Sequence, residues 1–186
     1  MLTQTFRFTI RRYQPGDAAP MARLYFESAR QLGPRRYSPA QVEAWAPAPA
    51  DPAGVHARAT DGRLTLVAVD EQGDVIGYGD LEADGHIDHL YCRPDAAGRG
   101  VAGAILDGLI ADAASRDALR RLHVEASELA RGLFERKGFT VLARRDFEVR
   151  GVPIHNYAME LILPGALLNN EIAAARSPGS AGAPLR

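Results

Sequence analysis

The spacing of hydrophobic residues over the first fifty positions predicts one strand followed by two helices. Apolar and polar residues alternate over 6–13, which is the period of a strand with one buried face. A first helix is predicted from Asp17, a common capping residue, to Gly33, a common helix terminator. Ser38–Gln41 is a capping box with proline at the first helical position, so it predicts a second, short helix. The prolines of 47–52 end that helix and predict a loop.

Strand patterns dominate from residue 64 onward. Residues 64–69 and 75–82 flank a short turn and predict a β-hairpin. Residues 86–92 follow as a third strand, which would complete an antiparallel meander. The later pattern predicts a helix over 101–115, a strand over 122–126, a helix from Ser127 to Gly138, and a closing hairpin of 139–149 and 152–163. The fold class is therefore mixed α/β, of the α+β type.

The length of the chain fits one domain with a tail. The 186 residues have a mass of 20.1 kDa. We expect a single domain over 8–163. Residues 164–186 include small, polar, low-complexity sequence, and we expect a partly disordered C-terminal tail without a catalytic role.

Charge and cysteine content exclude several classes of function. The chain has 22 basic and 23 acidic residues, so it lacks the basic field that holds a nucleic acid. The single cysteine, Cys92, excludes an internal disulfide framework and a cysteine-cluster metal site, and we expect no metal. There is no apolar run of about 18 residues and no signal-peptide pattern at the start. We therefore expect a soluble cytoplasmic protein that does not bind membranes.

A glycine-rich loop between a strand and a helix is the most informative segment. Residues 93–103 join the third meander strand to the next helix and include Gly98, Gly100 and Gly103. Glycines allow successive backbone N–H groups to point at one spot, where the helix N-terminus adds its positive dipole. The pattern predicts a diphosphate site built from main-chain groups. A tight turn without a ligand is the alternative.

Two nucleotide ligands fit such a loop. The string Gly98-x-Gly100-x-x-Gly103, with Glu125 about twenty residues later, imitates the dinucleotide fingerprint and would predict an NAD(P)-binding oxidoreductase. However, five residues separate the strand from the first glycine, and the preceding strands form a meander rather than a βαβ unit. The other ligand is coenzyme A.

For coenzyme A, the sequence resembles a known family, the GNAT N-acetyltransferases, over residues 8–163. The pyrophosphate loop of that family has the pattern Arg/Gln-x-x-Gly-x-Gly/Ala, which resembles Ala97-x-x-Gly100-x-Ala102. A later family signature resembles Ser127-x-x-Ala130-x-x-x-Phe134-x-x-x-Gly138-Phe139. The stretches HVEASELARGLFERKGF and RGVPIHNYAME resemble the YafP-like branch in particular.

This resemblance implies a GNAT-like fold, with a central, mostly antiparallel, twisted sheet of six to seven strands flanked by about four helices. It also implies acetyl-CoA as the donor and direct transfer to a primary amine of a small molecule or protein, and it is compatible with a homodimer. Two residues depart from the family pattern. Ala97 replaces an arginine or glutamine, and Phe134 replaces a tyrosine that often protonates the departing thiolate. These departures leave open a non-catalytic acyl-CoA-binding module.

Candidate cofactor-binding residues follow from the loop and from the resemblance. They are Leu90, Tyr91 and Cys92 on the strand, Gly98, Arg99, Gly100, Val101, Ala102 and Gly103 in the loop, and Ser127 and Phe134 further on. Ser127 has a second interpretation as a helix cap. Cys92 has a second interpretation as a covalent acyl carrier, since thiolates are nucleophiles.

The catalytic candidates lie on the strand that leads into the loop. Alternation places Asp88 on one face with His86, Leu90 and Cys92, and His89 on the other face with Ile87 and Tyr91. Asp88 is the first candidate base, because a buried carboxylate has a raised pKa and the resemblance places a base near this position. The alternative is a purely structural carboxylate. His89 is the second candidate base.

Three aromatic residues complete the predicted site. Tyr91 is a candidate proton donor in place of Phe134. Tyr37 and Trp45, on or near the second helix, are predicted walls of the pocket for the acceptor. Core packing of Trp45 is the alternative interpretation.

Overall fold

A computed structural model describes residues 6–163, and the predicted tail at 164–186 lies outside this range. The described chain folds into eight strands and five helices. In chain order they are β1 (Phe8–Arg12), α1 (Ala18–Leu32), α2 (Pro39–Trp45), α3 (Pro52–Ala59), β2 (Leu64–Asp70), β3 (Val75–Leu81), β4 (His86–Ile87), β5 (Leu90–Cys92), α4 (Val101–Ala114), β6 (Arg121–Ala126), α5 (Arg131–Arg136), β7 (Thr140–Val149) and β8 (Val152–Ile162). None of these five helices has the length and apolar character that a membrane span requires.

The strands form two four-stranded sheets rather than one larger sheet. The first sheet has the order β1-β2-β3-β5 and is antiparallel throughout. The second has the order β4-β6-β8-β7, in which only the β4–β6 pair is parallel. The predicted mixed α/β class is confirmed. The predicted single sheet of six to seven strands is wrong, because the predicted strand 86–92 is divided between the two sheets.

That division occurs at the dipeptide Asp88–His89. Before it, Ile87 pairs with β6, and after it, Leu90 pairs with β3. The irregular dipeptide shifts the side-chain alternation by one residue. Ile87 and Leu90 therefore both face the α4 side, while Tyr91 faces the α1 side. The predicted placement of Ile87 on the face of Tyr91 is wrong.

Helix α4 lies unusually close to β3, and glycine makes this approach possible. A Cβ added at Gly79 would lie 2.9 Å from Cγ2 of Ile105, and one at Gly77 would lie 2.8 Å from Cγ1 of Val101. Ile105 and Leu109 are fully buried at this interface. The close packing fixes where α4 begins, and therefore where the glycine-rich loop lies.

The N-terminal helices cover the opposite side of the first sheet. α1 buries Met21 and Leu24 in a cluster that includes Tyr78 of β3. α2 begins with the predicted capping box, in which Ser38 Oγ accepts the Gln41 N–H at 3.3 Å and Gln41 Oε1 accepts the Ser38 N–H at 2.9 Å.

Helix α3 lies where the sequence predicts a loop. Asp51 caps this helix by accepting the Ala53 N–H at 3.1 Å, and Pro52 is its first residue. Proline is well suited to that position, because the first helical N–H has no partner within the helix. The loop predicted from the prolines of 47–52 therefore ends at Asp51.

Candidate active site

The separation of the two sheets opens a cavity of about 420 Å³. Its walls come from α1 and α2, the segment 86–92, the loop before α4, the end of β6, α5, and the start of β8. The cofactor candidates among its lining residues are Leu90, Tyr91, Cys92, Gly98, Ala102, Ser127 and Phe134. Asp88, Tyr37 and Trp45 also line it. The structure thus brings together residues that are almost a hundred positions apart in sequence.

The glycine-rich loop presents main-chain N–H groups at the edge of this cavity. Gly98 and Gly100 have φ angles of +77° and +87°, in the left-handed region that favours glycine. Gly100 is the N-cap of α4 and offers no capping side chain. Within the described chain, the backbone N–H groups of Gly98 and of the first helical residues Val101–Gly103 have no backbone carbonyl as acceptor. These groups are therefore free to bind an anion.

The loop acts through its main chain rather than its side chains. The Arg99 guanidinium lies 4.8 Å from the centre of the Phe6 ring, in a cation–π contact. The Val101 side chain is buried in the core. Arg99, Gly100, Val101 and Gly103 do not line the cavity itself but lie just outside it, around the start of α4.

Asp88 borders the cavity at the irregular dipeptide Asp88–His89 between β4 and β5, which we call the kink. It is hydrogen-bonded by Arg58 of α3, and Arg63 Nη1 lies 3.7 Å from the same oxygen. Burial is the largest influence and acts to raise the pKa of Asp88, but the hydrogen bond from Arg58 and nearby positive charges outweigh it and lower that pKa. The raised pKa expected from the sequence is therefore wrong, and Asp88 is a weak base.

His89 lies behind the cavity wall, in an aromatic cluster. Its ring stacks on Tyr25 at 5.9 Å, and its Nδ1 is 3.2 Å from the Tyr78 hydroxyl. Burial lowers the pKa of His89 and favours the neutral imidazole. Because it does not line the cavity, the structure does not bring this second candidate base to the predicted site.

Tyr91 and Cys92 follow the kink and face opposite sides of the sheet. Burial raises the pKa of Tyr91, which keeps its hydroxyl protonated, and the ring packs edge-on against Tyr25 at 5.0 Å. Burial also raises the pKa of the Cys92 thiol, with a smaller contribution from Asp95. A thiol in this state is a poor nucleophile, so the environment does not favour a covalent acyl carrier.

Ser127 and Phe134 form the α5 side of the cavity. Ser127 Oγ accepts the Ala130 N–H at 3.2 Å, in the turn that precedes α5. The helix start predicted at Ser127 is wrong, because α5 begins at Arg131 with Ala130 as its N-cap. Phe134 is only 1% exposed and packs edge-to-face on Phe139 at 5.1 Å. This apolar setting matches the absence of a hydroxyl at that position.

Tyr37 and Trp45 close the cavity on the side of α2. The Tyr37 hydroxyl donates to the His155 carbonyl at 3.3 Å and accepts the Glu128 N–H at 2.8 Å. Trp45 packs edge-on against Phe147 of β7 at 6.4 Å. Both residues therefore join the N-terminal helices to the second sheet in addition to lining the cavity.

The structure brings to this region three residues that were not among the candidates for an acetyltransferase site. Arg58 binds Asp88, and Glu125 and Asn156 line the cavity from β6 and β8. The pair Asp51–Pro52 is a helix-start signal that could have located Arg58 on a helix. Alternation in 122–126 places Glu125 on a polar face, but only the divided sheet shows that this face meets a cavity.

Three ionisable side chains lie close together beside Asp88–His89. Glu82, His86 and Asp88 each bring one polar atom within 4.8 Å of the others. Arg63 pairs with Glu82 at 3.2 Å, and Arg58 pairs with Asp88. Guanidinium groups thus already balance both carboxylates.

A known protein family matches most of this chain. A family model described as an acetyltransferase (GNAT) domain matches residues 34–161. The chain belongs to the GNAT acetyltransferase family. The GNAT resemblance noted in the sequence motifs is therefore confirmed, and the protein is an N-acetyltransferase.

Individual GNAT relatives agree with this assignment. The uncharacterised N-acetyltransferase YafP of Escherichia coli K12 is 29% identical over 150 residues, which cover 81% of this chain and 93% of YafP. A GCN5-related N-acetyltransferase structure from Rhodopseudomonas palustris, titled aminotransferase class-II, is 37% identical with a TM-score of 0.76, covering 88% of this chain and 99% of that one.

A more distant GNAT structure agrees in fold. The putative acetyltransferase yncA of Salmonella typhimurium, solved with its cofactor acetyl-CoA, has a TM-score of 0.65 and 23% identity. The match covers 84% of this chain and 94% of yncA. At this identity the likeness is evidence of a shared fold alone.

Proposed function

We propose that this N-acetyltransferase takes the acetyl group from acetyl-CoA and transfers it directly to a primary amine of a small molecule or a protein. The free N–H groups at the start of α4, beside a cavity that opens between the sheets, carry this proposal. Main-chain donors and a helix N-terminus suit a diphosphate, and the cavity provides room for an acyl chain next to it.

The residues around the loop fit coenzyme A. An added Cβ at Gly98 or Gly100 would meet nothing within 4 Å, so the space above the loop is open. The first turn of α4 contains no acidic residue, and the nearby Asp95 is paired with Arg93 at 2.7 Å. The loop from Gly98 to Gly103 would hold the diphosphate, and the main chain of Leu90 and Cys92 would hold the arm. When bound, acetyl-CoA supplies the activated acetyl group.

The acceptor would enter from the side of α2 and β8. A protonated amine has no lone pair, so a nearby group must take its proton before transfer. Among the described residues, two carboxylates line the cavity, Asp88 and Glu125. Asp88 is the first candidate base from the sequence. Its ion pair with Arg58 lowers its pKa and makes it a weaker base than burial alone would make it.

Tyr91 remains the proposed proton donor to the departing sulfur. Phe134, at the position of the usual family tyrosine, has no proton to give. Tyr91 lines the cavity, and its raised pKa keeps the hydroxyl protonated at neutral pH.

Two measurements test the proposed function. In a thermal-shift assay, we expect acetyl-CoA and CoA to stabilise the protein and NAD⁺ and NADP⁺ to leave it unchanged. In a thiol-release assay with acetyl-CoA, we expect at least one amine from a panel of alkylamines, amino acids and short peptides to accelerate CoA release. Binding of acetyl-CoA without amine-dependent release would favour a non-catalytic acyl-CoA-binding module. Stabilisation by NAD⁺ alone would overturn the proposal.

A further inference from the structure

We propose that Glu125 and Asn156 form the acceptor-binding end of the cavity, where Glu125 removes the proton of the acceptor ammonium and Asn156 hydrogen-bonds its nitrogen. This inference rests on the proposed amine acetylation. It moves the role of base from Asp88, on the divided strand, to the second sheet.

The side-chain oxygen of Asn156 is buried without a hydrogen-bond partner among residues 6–163. The residue is 7% exposed, and its Oδ1 is buried and accepts no hydrogen bond within the described chain. A buried amide without partners costs free energy, so native proteins rarely retain one without a reason. Asn156 lines the cavity, and an occupant of the cavity is positioned to supply the missing partner. Rotation of the amide about its last bond presents either the oxygen or the nitrogen to that occupant.

Glu125 lies beside Asn156 on the same face of the second sheet. In the β6–β8 register Glu125 is opposite Ala158, which places Asn156 two residues along the same face of the neighbouring strand. In the β7–β8 register Arg145 is opposite Asn156, and its Nη1 reaches Glu125 Oε1 at 3.0 Å. A carboxylate and an amide that both line the cavity are thus diagonal neighbours.

His86 provides an exit for the proton. Its Nε2 is 2.7 Å from Glu125 Oε2, and its ring stacks on His123 at 4.9 Å. The carboxylates near this imidazole include Glu82 at 3.7 Å, Asp84 and Asp88. The proton leaves the ammonium nitrogen for Glu125, which becomes a carboxylic acid, and the amine regains its lone pair. Glu125 then passes this proton to His86, which releases it to solvent.

Asp88 is less suited to this role. Both Arg58 and Arg63 approach its Oδ2, so ionised Asp88 is already stabilised by two guanidinium groups. Glu125 pairs with one arginine and with an imidazole that can itself accept a proton. The chemistry therefore favours an acceptor that is a cation at neutral pH, such as an alkylamine, over an arylamine that is already neutral.

The first test compares Glu125→Gln with Glu160→Gln. Glu160 is a matched control, because it lies on the same sheet, pairs with an arginine at 3.4 Å and does not line the cavity. With propylamine, or with the alkylamine that the panel identifies, we expect Glu125→Gln to lose about a hundredfold in kcat/KM at pH 7. Acetyl-CoA affinity by calorimetry should stay within about twofold for both variants.

The pH profile separates loss of a base from structural damage. Without the base, only the neutral amine present in solution reacts, and its fraction rises tenfold per pH unit below the pKa of the amine. We therefore expect the deficit of Glu125→Gln to shrink by about tenfold per unit from pH 7 to 9. A deficit that stays constant with pH would overturn the role of Glu125.

The second test examines Asn156, with Thr65→Val as the matched control. Thr65 Oγ1 is also buried without a partner in the described chain, but Thr65 does not line the cavity. We expect Asn156→Leu to raise the amine KM about tenfold. In Asn156→Asp, which keeps a hydrogen-bonding side chain, we expect the amine KM to stay close to the wild-type value. Thr65→Val should leave KM unchanged. In NMR titrations of the wild type, propylamine should shift the Asn156 side-chain amide signals.

The outcomes distinguish this inference from the proposed function. If the wild type shows no amine-dependent CoA release, the proposed function is wrong and the inference with it. If the wild type is active but Glu125→Gln matches Glu160→Gln, the inference alone is wrong. A larger kcat loss in Asp88→Asn than in Glu125→Gln would return the role of base to Asp88.

Discussion

Arg58 of α3 hydrogen-bonds the carboxylate of Asp88 at the point where the two sheets separate. The same guanidinium reaches Asp80 of β3, with Nε 3.2 Å from Oδ2. Asp80 in turn accepts the His89 N–H at 2.9 Å, in place of a regular strand hydrogen bond. An arginine on a peripheral helix thus helps to hold the kink that opens the cavity.

Removal of this arginine should change the titration of Asp88. In Arg58→Ala we expect the pKa of Asp88 to rise, because the hydrogen bond and positive charge that lower it are lost while burial remains. Carbon-detected NMR titration of the Asp side chains measures this pKa. Arg144→Ala is the control, since Arg144 pairs only with the exposed Asp146 among the described residues. An unchanged Asp88 pKa in Arg58→Ala would contradict the geometry.

The stability of this variant should depend on pH with a defined sign. A carboxyl whose pKa is lowered by folding stabilises the protein above its unfolded value of about 3.9, and this contribution is lost as the pH falls through the folded pKa. The difference in free energy of unfolding between wild type and Arg58→Ala should therefore shrink below about pH 4. The Asp88 side chain is 34% exposed, so we expect its ion pair to contribute about 1 kcal/mol or less to this difference at neutral pH. Loss of the Arg58 contact with the buried Asp80 adds to the difference.

Two glycines with the same backbone angle separate binding from stability. Gly100, at the start of α4, and Gly73, in the β2–β3 turn, both have φ of +87° and open space around an added Cβ. Alanine at either position should cost about 1 kcal/mol of stability through backbone strain. Only Gly100→Ala should also lose acetyl-CoA affinity, because only this loop is proposed to bind the diphosphate. Calorimetric titration and urea unfolding measure the two effects, and equal affinity in both variants would contradict a binding role for the loop.

Local signals predicted much of this fold, since they act over a few residues. The capping box at Ser38–Gln41 places α2 where the structure has it. A comparable signal at Asp51–Pro52 was outweighed by the surrounding prolines, and α3 was missed. Proline at a first helical position supports a helix, whereas proline inside one breaks it, and position relative to the cap decides between these effects.

The candidate site was only partly predictable, because it depends on contacts between distant strands. The spacing of Gly98 and Gly100 indicated from sequence alone the loop that we propose binds the diphosphate. The division of 86–92 could not be read from its alternation, since the shift at Asp88–His89 depends on a side chain of another strand, Asp80. Asn156 has the pattern of an ordinary strand residue, and its unpartnered burial exists only in the folded chain.

The close approach of α4 to β3 predicts that Gly79→Ala is destabilising. The added Cβ would lie 2.9 Å from Ile105 Cγ2 and 3.1 Å from the His89 carbonyl oxygen, which is backbone and cannot move aside. We expect a loss of about 1–3 kcal/mol in urea unfolding. Acetyl-CoA affinity should also fall, since displacement of α4 moves the loop at its start. Gly16→Ala, where an added Cβ meets nothing within 4 Å, is the control, and an equal stability for both variants would show that α4 is loosely packed.

The Tyr37 hydroxyl joins the segment between α1 and α2 to the second sheet. In Tyr37→Phe the Glu128 N–H loses the acceptor it has at 2.8 Å, and the His155 carbonyl loses a donor. We expect the free energy of unfolding to fall by about 1–3 kcal/mol, because a partly buried N–H is left without its protein partner. Tyr37 lines the side of the cavity proposed for the acceptor, so KM for the amine should rise while acetyl-CoA affinity is kept. Tyr13→Phe, which removes an exposed hydroxyl 2.8 Å from His56 Nδ1, should change neither quantity appreciably. A Tyr37→Phe protein as stable as Tyr13→Phe would show that this hydroxyl does not hold the wall of the cavity.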